Sequence, residues 1–146
     1  MEALPVLSGE RVNVIKERAG EFLELARDLL GRDRLDMASF NVHQACQLRI
    51  KAALLRLMGE APRIHGLREL LGVLAKGLEE LGCSGESDRI LDLVRRYRDP
   101  LIDVESAYVE SRYGVATATR GEVEGMIGAA EELFKLLDRV ERDVLG

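Results

Sequence analysis

The chain has 146 residues, 47% of them hydrophobic and 32% charged, with 26 acidic against 21 basic groups and a formal charge of −5. That profile fits one globular domain near the modal size, able to bury a core without disulfide or metal staples, and it excludes a disordered tail. The mild acidity argues against uniform affinity for nucleic acid, and no apolar run approaches the ~20 residues that span a bilayer.

Aromatic content of 4%, the lack of Trp and helical periodicity almost throughout predict an all-α fold. Residues 1–10 read as a leader to a single domain over 1–146, with Ser8 as an N-cap. From Arg11 to Arg32, Val12, Ile15, Ala19, Phe22, Ala26, Leu29 and Leu30 alternate at three and four spacing, the mark of one buried stripe. Asp33 is placed to cap a second helix from Arg34 to Met58, stopped by Gly59 and Pro62. Its apolar residues surround most of the cylinder, which predicts a central helix covered partly by its own chain and partly by a second subunit. A third helix from Gly66 to Leu81 carries Leu67, Leu70, Leu71, Leu74, Leu78 and Leu81 on one face and is closed by Gly82. Ser84 or Ser87 can cap a short fourth helix that ends in the basic run Arg95, Arg96 and Arg98. Asp99 and Pro100 then start or kink a further piece that breaks near Gly114, and the last helix spans about Glu122 to Leu145. Short connections favour an up-and-down antiparallel bundle of four to five helices, expected as a homodimer.

MEALPVLSGE lacks the basic and apolar regions of a secretory signal, so the expected location is cytoplasmic. Cys46 and Cys83 form no C-x-x-C pair, which excludes a zinc cage or redox motif and leaves two reduced thiols. The basic set is 17 Arg to 4 Lys and there are four Asn and Gln in all, a balance that fits a heat-adapted protein or a biased genomic base composition. No Walker loop, dinucleotide fingerprint, G-x-S-x-G or H-E-x-x-H is present. Phe40 and Pro62 stand where a di-iron E-x-x-H would need its acid, so neither metal nor cofactor is expected.

Polar groups in unusual places remain. On the second helix His43, Gln44, Gln47 and Lys51 fall within one strip, which either lines a cleft or forms an internal hydrogen-bond network. In PRIHGL, Arg63 and His65 precede the third helix, whose free amides suit an anion; the plainer role for His65 is to cap or pack there. In ESRYG, Arg112 suits bidentate phosphate contact and Tyr113 can stack on a base, against the plainer reading of an ion pair to Glu105 or Glu110. Arg95, Arg96 and Arg98 read most simply as a solvated face.

The stretch SFNVHQACQLRIKAALLRLMGEAPRIHGLRELLGVL, read with the later SAYVESRYG, resembles the HEPN domains of archaea and bacteria. The residues that carry the resemblance are Gln44, Ala45, Lys51, Ala52 and Leu54, then Pro62, His65, Leu67, Leu70 and Leu71, then Arg112 and Tyr113. The resemblance implies a helical bundle, usually dimeric, often encoded beside a small nucleotidyltransferase with which it pairs in a toxin–antitoxin setting. Many such domains are metal-independent ribonucleases marked by an Arg followed after four to six residues by a His. This chain departs from that mark: Asp36, Met37 and Ala38 hold the positions ahead of His43, and Met58, Gly59 and Glu60 those ahead of His65. The expectation is therefore a non-catalytic module that binds a nucleotide, RNA or another phosphate-bearing ligand, docks onto a nucleotidyltransferase, or does both. Gln44, Lys51, His65, Arg112 and Tyr113 are its candidate ligand residues, with His43, Gln47 and Arg63 behind them. A ribonuclease that pairs His43 or His65 with a distant Arg such as Arg112, and a purely structural adaptor, are the alternatives.

Overall fold

A computed structural model describes residues 4–113 and 118–146, with side chains from 9 to 108 and from 118 onward. Six helices follow in order: α1 Leu4–Gly31, α2 Leu35–Met58, α3 Leu67–Glu80, α4 Ser84–Arg96, α5 Arg98–Tyr113 and α6 Arg120–Leu145. No strand occurs among the described residues. The all-α bundle expected from periodicity is present, with six helices instead of four to five.

The count rises because of a single residue. Tyr97, at φ −111° and ψ 27°, leaves helical geometry between α4 and α5, and its carbonyl accepts the Leu101 N–H to open the next helix. Asp99 is thus inside α5 and not its cap, and Pro100 occupies the first turn, where a missing N–H loses nothing. At the other end of the chain α1 already runs from Leu4, seven residues ahead of the expected start, so Ser8 lies within the helix and is not its N-cap. Pro5 falls in that first turn, for the same reason as Pro100.

Asp33 does not cap α2 either. It sits at φ 60° and ends α1: its N–H reaches the Leu30 carbonyl and the Arg34 N–H reaches Leu29, the paired bonds of a Schellman closure. An aspartate tolerates the left-handed region nearly as well as it caps, so the residue type suited both ends. Arg120, at the start of α6, donates to the Leu30 carbonyl at 2.9 Å and secures the same turn. Gly82 closes α3 in the same way at φ 83°. The Ser87 cap expected for α4 is absent; its buried hydroxyl donates across to the Ala75 carbonyl at 2.7 Å and pins α4 to α3. Thr119 caps α6 in a full capping box with Glu122.

α2 is the central helix and packs against α1, α3, α5 and α6. Ala38, Ala45, Ala52 and Ala53 have no exposed surface and let neighbouring backbones come close, while Val42, Cys46, Ile50 and Leu54 fill between them. Of the seven exposed large hydrophobics among the described residues only Met37 lies on α2, while Phe40, Leu48 and Leu55 share one face of the helix and are half-buried. Cys46 is sealed within this core and burial pushes its thiol up to about 12, whereas Cys83, at the α3–α4 turn, is half-exposed. An alkylating reagent is expected to label Cys83 alone in the native protein and both thiols after denaturation, read by mass spectrometry. Native labelling of Cys46 would contradict this packing.

Candidate functional site

Gly59, at φ 84°, turns the chain out of α2, and the link 59–66 folds back over the helix it has left. Two side chains one turn apart on α2 meet that link. His43 Nε2 lies 3.3 Å from the His65 carbonyl, and Gln47 Nε2 lies 3.4 Å from the Ile64 carbonyl and 2.7 Å from His65 Nδ1. An irregular segment laid against a helix has carbonyls that need donors, and these side chains supply them. The polar strip on α2 is therefore an internal network at His43 and Gln47.

The network decides which nitrogen of His65 carries a proton. Ile64 O only accepts, so the Gln47 amide must turn its NH₂ towards the link, and His65 Nδ1 becomes an acceptor. The neutral ring then holds its hydrogen on Nε2. His65 is exposed while Gln47 is buried, so a donor is presented outward from an anchored base.

α5 supplies the third wall. The Tyr108 ring stacks on His65 at 5.0 Å and 14°, and lies 4.6 Å from the His43 ring at 31°. One turn earlier, Glu105 accepts the backbone N–H of Arg68 at 2.9 Å and both ends of its guanidinium at 3.0 Å. A free amide at the start of α3, which sequence reasoning offers to a phosphate, is thus already met by a carboxylate from the same chain.

His43 has no exposed surface. Burial holds its pKa below the ordinary 6.5, against the opposing pull of its bonds to His65 and Gln44 and of the Glu105 charge. The unfolded chain takes up a proton on His43 near pH 6.5 and the folded chain only below that. Unfolded protein binds more protons in this window, so the stability is complete above pH 6.5 and falls as the pH drops below it. The melting temperature of the wild type is expected to fall more between pH 7.5 and 5 than that of His43→Gln, whose amide still donates to the His65 carbonyl. Equal falls would place the acid sensitivity elsewhere.

The candidates divide as follows. His43, Gln47 and His65 meet, and Gln44 is half-buried with its amide oxygen placed 3.4 Å from His43 Nδ1. Lys51 is half-buried one turn beyond Gln47, and Arg63 is exposed; neither makes an ion pair among the described residues. Arg112 and Tyr113 end α5, and their side chains lie outside the described residues. Sequence reasoning gave no site role to Tyr108 or Arg68 and offered Glu105 only as an ion-pair partner for Arg112. The spacing of Glu105 and Tyr108 by three puts them on one face of a helix but says nothing of the partner that face meets.

The HEPN domain family model matches residues 12–140. The chain belongs to the HEPN family. No curated protein matches it. In this HEPN domain the positions ahead of both histidines lack the arginine of the family's ribonuclease mark, and His43 is closed to solvent. No group of His, Cys, Asp and Glu among the described residues could hold a metal ion, and none of the helices is long and apolar enough to cross a membrane.

Proposed function

We propose that this HEPN domain is a non-catalytic binding module that takes a nucleotide or another phosphate-bearing ligand on the His65 face, acts as a homodimer, and pairs with a small nucleotidyltransferase. The observation that supports the ligand is the His65 side chain, exposed and held by Gln47 at Nδ1 and by the Tyr108 ring. A donor fixed in direction loses little freedom when it meets a phosphate oxygen. Lys51 and Arg63 add cations nearby along the chain, and Arg112 follows Tyr108 by one turn of α5. The same geometry weighs against catalysis. In-line cleavage of RNA needs a base for the 2′-hydroxyl proton, and the outer nitrogen of neutral His65 already bears one.

Calorimetric titration with ATP, GTP and a short RNA is expected to give saturable heat for at least one of them. His65→Ala and Lys51→Ala are each expected to weaken that binding about tenfold, the size of one lost charge-assisted hydrogen bond. No heat at millimolar ligand overturns the ligand reading and leaves docking to a nucleotidyltransferase, which co-purification tests. RNA is expected to survive incubation with the protein and a chelator; cleavage that disappears in His65→Ala would establish the ribonuclease instead.

A further inference from the structure

An open groove of about 330 Å³ runs between α4 and α6, and it shares no residue with the His65 face. Its charged lining is Arg96, Lys135, Arg139 and Arg142 against a single acid, Glu132, a local charge of four minus one, or +3, in a chain whose formal charge is −5. Part of this is neutralised: Arg96 pairs with Asp92 at 2.9 Å and Lys135 with Glu132 at 3.4 Å. Arg139 and Arg142 are exposed and make no ion pair among the described residues. Lys135, Arg139 and Arg142 stand four and three residues apart, one ridge of α6 along which cations repeat about every turn, over roughly 10 Å at 1.5 Å per residue.

We propose that this groove binds a linear phosphate chain, read by charge alone. Two features select that class of anion. Its apolar lining is Leu93 and Leu136, both already buried, so a protein partner would find no hydrophobic anchor there. No aromatic ring lines it, so nucleobases gain no stacking platform. What remains is a row of mostly planar guanidinium forks, suited to successive phosphates of one chain.

The test is fluorescence anisotropy with end-labelled inorganic polyphosphate, with single-stranded RNA and poly-glutamate of matched charge as competitors, over a range of salt. Saturable binding is expected, with a slope of log affinity against log salt that becomes shallower by about 1.4 in Arg139→Gln/Arg142→Gln, two contacts at roughly 0.7 each, and an affinity at least tenfold lower. Arg11→Gln/Arg18→Gln, which removes the same charge from exposed positions of α1, is expected to change neither. RNA that competes on the same variants shows that a phosphodiester backbone is also a source of the chain; RNA that does not compete confines the site to polyphosphate. Poly-glutamate that competes as well as either, or an equal loss in the α1 variant, overturns the proposal in favour of diffuse attraction. His65→Ala is expected to leave this binding intact, so its result stands apart from that of the His65 face.

Discussion

Replacing Arg49 with Ala is expected to lower the free energy of unfolding by about 3–5 kcal/mol, measured by urea denaturation. Arg49 is 2% exposed in the middle of α2 and faces Glu141 of α6, itself 5% exposed. Their charged atoms Nη1 and Oε2 lie 2.7 Å apart but off the line of a hydrogen bond, and neither has another hydrogen-bond partner among the described residues. The attraction between them is therefore Coulombic. Arg49 Nη2 donates to Asp138 at 2.8 Å, and Lys16 of α1 donates to the other oxygen of Glu141 at 3.1 Å, so the network ties three helices together. Removing Arg49 leaves the buried Oε2 of Glu141 with no cation against it while Lys16 still holds Oε1, and that half-paired carboxylate, more than the lost attraction, carries the effect. The double variant Arg49→Met/Glu141→Leu strands nothing and is expected to recover most of the loss. A single variant that costs under 1 kcal/mol would mean that water reaches the pair.

Tyr108→Ala is expected to lower stability by about 2–3 kcal/mol, less than a fully buried ring because Tyr108 is half-exposed. Its ring is the surface on which both histidines rest, and without it the link 59–66 keeps its bonds to α2 and the packing of Ala61 and Ile64 against the core. Tyr108→Phe retains the ring and is expected to recover most of the loss. Under the proposed binding role, ligand affinity follows the same order, since a His65 freed from its backing no longer aims its Nε2–H. Nitrogen chemical shifts give a direct readout: His65 is expected to show the Nε2–H form when neutral, and Gln47→Leu, which removes the donor to Nδ1, to mix the two forms. A Tyr108→Ala protein with wild-type stability would mean that the ring is not part of the packing.

Periodicity carried the helices well because it is a property of one segment at a time. The stripe through Val12, Ala19 and Ala26, the leucines within α3 and the row from Val123 to Val140 are all buried as spacing implies, whereas Phe22 and Phe134 end half-buried and Leu81, expected on the α3 face, is exposed because the helix has already ended at Glu80. Residues with two local uses were not legible. Asp33 can cap a helix or end one in the left-handed region, and Ser87 can cap or reach across to another helix; local chemistry permits each, and only the neighbouring element selects.

The sequence by itself determined the all-helical architecture, the central place of α2, the family, and the absence of the arginine ahead of either histidine. Only the tertiary structure decided that His43 and Gln47 serve the link's carbonyls, that Glu105 takes the Arg68 amide at the start of α3, and that Arg49 is buried against Glu141. The reason is one of range. Helix formation and burial pattern follow from residues three and four apart, whereas a hydrogen bond between residues separated by tens of positions depends on the angle and register at which two finished helices meet.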